Sequence, residues 1–116
     1  MPRNKYAILL GAVVVLGILL AGCTQSNNFP TTPGTIGPNP LGGWDAYVLR
    51  LRPDGALPPE QQLVVSTRFG GNGDDFAFGL SLEPPGYISI VGETASSSFP
   101  VTAGAFQTTF GGGVDA

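Results

Sequence analysis

The sequence predicts an all-β protein: one four-stranded antiparallel sheet and the start of a second, preceded by a single apolar N-terminal helix. Three observations predict it. Four runs alternate apolar and small or polar residues with the period of two that a strand requires. Glycine, proline, aspartate and asparagine cluster between those runs and mark reversals. The chain also matches itself without a gap at an offset of 70 residues, the mark of a repeat architecture.

The first run is Ala46–Leu51, with Tyr47, Leu49 and Leu51 on one face. Arg52-Pro53-Asp54-Gly55 is a turn, because proline fixes φ while Asp and Gly tolerate the reversal. The second run, Leu63–Phe69, alternates Leu63, Val65, Thr67 and Phe69. Gly70-Gly71-Asn72-Gly73-Asp74-Asp75 reverses the chain again. The third run, Phe76–Leu82, sets Phe76, Phe78, Leu80 and Leu82 against Ala77, Gly79 and Ser81. Glu83-Pro84-Pro85-Gly86 turns into the fourth run, Tyr87–Val91. Tight connections predict that the last three strands form a meander. Val64, Ala77, Gly79, Ile88 and Ile90 make the second faces apolar or small as well, so a sheet of this kind is expected to be covered on both sides. Four short strands, two covered faces and a long repeat are what a β-propeller blade requires.

The repeat is carried by Phe29-Pro30-Thr31-Thr32-Pro33-Gly34 against Phe99-Pro100-Val101-Thr102-Ala103-Gly104, continuing to Gly42-Gly43-Trp44-Asp45-Ala46 against Gly112-Gly113-Val114-Asp115-Ala116. Eight of these 18 positions are identical. One period spans 29–98, and a second starts at Phe99 and stops at Ala116 inside its motif, as in a truncated product.

Composition narrows the functions. Gly and Pro supply 18 and 11 of 116 residues, near the edge of low complexity, yet 42% of the chain is hydrophobic, too much for an acidic disordered tail. There is no histidine and one cysteine, which excludes intrachain disulfides, His-ligated zinc, Ser-His-Asp triads and Cys-His nucleophiles. Arg3 and Lys5 are two of only five basic residues; without them three arginines face eight acids. Nucleic acid is therefore not an expected partner, since phosphate neutralisation needs clustered cations, and no polybasic membrane patch exists.

The N-terminus carries the most specific signal. Arg3 and Lys5 precede an uncharged run, Ala7–Gly22, which is short for a bilayer span of about 20 residues and fits a signal core. It ends in Leu20-Ala21-Gly22-Cys23, which resembles the bacterial lipobox. Small Ala21 and Gly22 let an extended backbone enter a protease, and only a thiolate is readily alkylated. The resemblance implies cleavage before Cys23, lipid on its thiol and acyl chains (palmitate among them) that hold the mature protein to a membrane. Thr24, rather than Asp, follows the cysteine, which implies the outer membrane or cell surface where the host has one. The alternative is an uncleaved membrane anchor. The expected organisation is a lipoprotein signal peptide at 1–22, lipidated Cys23 and a Pro/Gly/Thr-rich tether to 41, a blade at 42–98, and a connector with the start of the next repeat at 99–116.

Several motifs in order resemble the bacterial SBBP β-propeller repeats. They are Gly43–Leu51, the core Arg68-Phe69-Gly70-Gly71-Asn72-Gly73-Asp74-Asp75 through Leu82, the strand Tyr87–Thr94, and the connector Ser96–Ala116. Pro58–Gln62 and Glu83–Gly86 depart from the family pattern. The resemblance implies an exported repeat scaffold and no shared reaction. An interaction scaffold without catalysis of its own is thus the expected function. The alternative is a piece of a larger propeller enzyme or glycan-binding protein whose active residues lie elsewhere.

Other candidate sites are weaker. Gly70–Asp75 fits the first six positions of the G-G-x-G-x-D calcium repeat, but in one copy and with Ala77 where a large apolar residue belongs, so it reads as a glycine-rich turn with a solvated or capping Asp pair. Asp74, Asp75, Glu83 and Glu93 have no spacing that makes a glycosidase pair. Trp44, Tyr47 and Tyr87 read as packing rather than sugar platforms. No catalytic residue, cofactor or metal ligand is expected.

Overall fold

The computed structural model describes residues 17–37 and 39–116. The chain folds into β1 (Ile18–Thr24), β2 (Asp45–Leu51), the one-turn helix α1 (Pro59–Gln62), β3 (Leu63–Phe69), β4 (Asp75–Glu83) and β5 (Tyr87–Thr94). All pairings among these strands are antiparallel. The all-β class and the four expected strands are present. Their arrangement differs from the single four-stranded sheet that the tight connections imply.

Two sheets form instead, one of order β1-β2-β3 and one of β4-β5. The cause lies at the outer edge of β3, which is already occupied. Thr32 N–H donates to the Ser66 carbonyl at 3.0 Å, and Ser66 N–H donates to Thr32 Oγ1 at 3.0 Å. Gly37 bridges Arg68 further along, and its N–H donates to Thr67 Oγ1 at 3.2 Å. With that edge filled, β4 cannot add to β3. It starts beside the entry to β2, where Asp75 N–H donates to the Trp44 carbonyl at 2.7 Å and Gly43 N–H to the Gly73 carbonyl at 3.2 Å. Among the described residues no closed barrel or propeller is formed.

The same bonds hold part of the Pro/Gly/Thr-rich segment up to 41 against the sheet. Residues 26–37 lie along β3: Ser66 Oγ donates to the Pro30 carbonyl at 2.6 Å, and the buried Arg68 guanidinium donates to the Ser26 carbonyl at 2.8 Å. Phe29 stacks at a tilt on Tyr47, ring centres 4.8 Å apart.

The N-terminal helix expected through Gly22 is not seen at 18–22, which are strand; residues 1–16 lie outside the described residues. β1 pairs with β2 over its whole length, from Ile18 opposite Leu51 to Thr24 opposite Asp45. In the long β2–β3 connection, Pro58 and Pro59 open α1, since proline suits a first helical turn and blocks a ladder. Arg52 N–H then closes the hairpin on the Gln62 carbonyl at 2.7 Å.

The sheets meet where β1 and β2 approach β4. Leu19, Val65, Leu82 and Ile88 line a shallow cavity between the sheets. Among the described residues the buried apolar ones are small, Ala46, Val48 and Ala77, while Asp45, Ser66, Arg68, Asp75 and Ser96 are fully buried polar ones. Phe78, Val91, Tyr87 and Phe106 stay exposed. The outer face of the β4–β5 sheet sets the exposed Val91 and Tyr87 beside Ser81, Ser89, Glu83 and Glu93.

Candidate functional site

Two regions are of functional interest: the strand that carries Cys23, and the edge of β5 with the loops around it.

Leu20, Ala21, Gly22 and Cys23 are consecutive residues of β1, the outer strand of its sheet. Cys23 is a free, half-buried thiol opposite Ala46. Gly22 lies beneath the Tyr47 ring, where an added Cβ would come within 3.0–3.1 Å of the phenol. Leu20 is opposite Leu49 and Ala21 opposite Val48. The segment is extended, the conformation that a protease binds, but it is paired along one edge. Cutting before Cys23 would take Ile18–Gly22 away from β2 and leave β3 in place.

The second region is organised by Asp75. This residue opens β4 and is completely buried. Its Oδ2 accepts from Gly71 N–H at 3.0 Å and from Ser96 Oγ at 2.8 Å, and its Oδ1 accepts from Thr94 Oγ1. Ser96 Oγ in turn accepts Gly73 N–H at 2.8 Å. The carboxylate therefore ties the glycine turn to the end of β5, and both its oxygens face hydrogen-bond donors rather than a cation's place. Asp74 is exposed and accepts Trp44 N–H at 3.0 Å. Glycine is required at Gly73, where a Cβ would meet the Ala95 carbonyl at 2.4 Å. Glu83 and Glu93 lie at opposite ends of the β4–β5 hairpin, so the four acids are not brought into one cleft. Trp44 packs beside Phe76 at 6.2 Å and Tyr47 on Phe29, whereas Tyr87 is exposed. Among the described residues no group of three His, Cys, Asp or Glu side chains could hold a metal ion.

The structure lengthens the repeat. β1 and the last seven residues of β5 are the same element 70 positions apart: Ile18, Gly22, Thr24 and Ser26 recur as Ile88, Gly92, Thr94 and Ser96. The local geometry recurs too. Ser26 N–H donates to Thr24 Oγ1 at 3.0 Å, and Ser96 N–H to Thr94 Oγ1 at 3.0 Å. Leu41 N–H donates to Asp45 Oδ2 at 2.9 Å, and Gly111 N–H to Asp115 Oδ2 at 2.6 Å. Thr24 pairs with Asp45, and Thr94 bridges Asp115. The sequence reading missed this extension because 18–22 also fit a signal core; the spaced Gly-x-Thr-x-Ser was the available sign.

β2 covers β1, and Asp115 bridges Thr94 at the end of β5. A cleft of about 280 Å³ opens there, walled by Phe69, Phe76, Ile90, Gly92, Phe99 and Phe110.

The chain matches no family model, no curated protein and no solved structure.

Proposed function

We propose that this protein is a lipid-anchored module of the bacterial cell envelope, built from propeller-type repeats and working as an interaction scaffold. One observation carries the reading: Arg3 and Lys5, an uncharged run and Leu20-Ala21-Gly22-Cys23 follow in the order that lipoprotein processing needs. The place of Cys23 in an outer strand supports it, because an outer strand can leave without breaking the β2–β3 pair. Recurrence of one connector geometry 70 residues apart supports the repeat. In this reading the lipid on Cys23 holds the module at the membrane, and the loops and edges of the sheets present its binding surface.

A second reading is favoured by the pairing of Ile18–Gly22 with β2: the N-terminal segment is retained and β1 is a permanent strand. Growth of the expressing bacteria with an alkyne-bearing fatty acid separates the two. The first reading expects label on the wild-type chain and none on Cys23→Ala. An unlabelled wild-type chain refutes it.

A further inference from the structure

We propose that Asn72 is a deamidation site which the fold holds shut: Ser96, Ser97 and Ser98 clamp the Asn72–Gly73 pair, and opening of the clamp commits the glycine turn to a one-way chemical change.

The chain holds one Asn-Gly dipeptide, Asn72-Gly73. Asparagine is a thermolabile residue, and a following glycine lacks the side chain that would shield the peptide nitrogen. Packing demands both glycines around Asn72. A Cβ on Gly73 would meet the Ala95 carbonyl at 2.4 Å, and one on Gly71 would meet Ser96 Cβ and Ser98 Oγ at 2.7 Å. The turn therefore cannot exchange Gly73 for a residue that protects its neighbour. Asn72 is exposed, so water reaches it.

The reaction is redox-neutral and consumes only water. Gly73 N–H gives up its proton, the nitrogen bonds to Asn72 Cγ, and the Cγ–Nδ2 bond breaks with loss of ammonia. Water then opens the five-membered imide. Opening at Cγ leaves aspartate. Opening at the α-carbonyl leaves isoaspartate, whose main chain runs through Cγ and is one carbon longer.

The fold occupies both reacting groups. Gly73 N–H donates to Ser96 Oγ at 2.8 Å. Ser96 is completely buried, and its hydroxyl donates to Asp75 Oδ2 at 2.8 Å, which fixes this acceptor in place. The Asn72 carboxamide is held by the next two hydroxyls. Its Nδ2 donates to Ser97 Oγ at 3.1 Å, and its Oδ1 accepts from Ser98 Oγ at 3.2 Å and Ser97 Oγ at 3.3 Å. Asn72 N–H donates to Ser98 Oγ at 3.0 Å. Attack needs the nitrogen free and within about 3–3.5 Å of Cγ in line. Reaction therefore waits on local opening of the turn.

The product cannot close the turn again. Gly71 N–H and Gly73 N–H are tied to two acceptors that are bonded to each other, Asp75 Oδ2 and Ser96 Oγ. Isoaspartate puts an extra main-chain carbon between the two donors, so both bonds no longer fit.

The purified full-length chain and a synthetic peptide, Arg68–Phe76, which carries the pair but no serine, are kept in the same mildly alkaline buffer. Aspartate and isoaspartate at position 72 are followed by peptide mapping. The folded chain is expected to react at least about tenfold more slowly than the peptide. Equal rates overturn the proposal. Ser97→Ala with Ser98→Ala is expected to speed the reaction about three- to tenfold. Both serines are exposed, so the urea midpoint read by Trp44 fluorescence should not move. Ser97→Thr with Ser98→Thr keeps both hydroxyls and is expected to stay at the wild-type rate. An alanine variant at the wild-type rate, one that speeds up only with a matching fall in midpoint, or a threonine variant as fast as the alanine one overturns the clamp. The isoaspartate chain, isolated and refolded, is expected to unfold at a lower urea concentration than Asn72→Asp, whose main chain has its normal length. Equal midpoints overturn the one-way change.

Discussion

Asp75→Ala tests the packing logic around the glycine turn most severely. The carboxylate is the acceptor for Gly71 N–H, Ser96 Oγ and Thr94 Oγ1, and it is completely buried. Without it the buried Gly71 N–H has no partner, at a cost of about 1–3 kcal/mol. The two hydroxyls fare better, because each keeps an incoming bond: Ser96 Oγ from Gly73 N–H, and Thr94 Oγ1 from Ser96 N–H. Each loses about 1 kcal/mol. The total, about 4 kcal/mol, is a large part of the 5–15 kcal/mol that holds an ordinary domain together. Trp44 is the single tryptophan and its carbonyl accepts from Asp75 N–H, so its fluorescence reports on this turn. With a urea slope of about 1 kcal/mol per molar, the unfolding midpoint should fall by about 3–4 M, or the variant should be unfolded without urea. Asp115→Ala is the control. It removes the same contact four residues back, from Gly111 N–H, but at an exposed site, so the fall should stay below about 1 M. Equal falls for the two variants, or less than about 1 M for Asp75→Ala, would refute the reasoning.

Three further outcomes follow. Thr32→Val leaves the Ser66 N–H without its hydroxyl acceptor, costs about 1–3 kcal/mol, and should expose residues 30–37 to limited proteolysis well before the β2–β3 hairpin. Gly22→Ala on the Cys23→Ala background drives a methyl against the Tyr47 ring; a loss of about 1 kcal/mol lowers the thermal midpoint by about 4–8 °C, and an unchanged midpoint speaks against β1 being paired. In the otherwise wild-type chain the same substitution keeps a small residue before Cys23, so fatty-acid labelling should persist.

Much of the fold was legible because strand signals are local. The alternation in Phe76–Leu82 and the punctuation at Gly70–Asp75 placed β4 nearly to the residue. Strand pairing was not legible, because it depends on which edge is free. Short connections pointed to a meander, yet Thr32 and Gly37 fill the edge of β3 and send β4 to another sheet. Nor does periodicity distinguish a linker from a strand cover when the contacts are made by backbone groups and hydroxyls, as at Thr32 and Ser66. Asp75 was read as a cap from its place after the glycines, but its partners Thr94 and Ser96 are some 20 residues away and carry no signal of the contact. At Ile18–Gly22 one sequence satisfies two patterns, a signal core and a repeat strand, and only the recurrence at Ile88–Gly92 exposes the second.

The central claim is that Cys23 becomes the lipidated first residue of the mature protein. The intact mass of the membrane-extracted protein tests it most directly, measured for the wild type and for Cys23→Ala. The account predicts a wild-type chain that begins at Cys23 and carries two or three acyl chains, both features lost on substitution. An unmodified wild-type chain that still begins at Met1 would contradict it and leave β1 as a permanent strand of the first sheet.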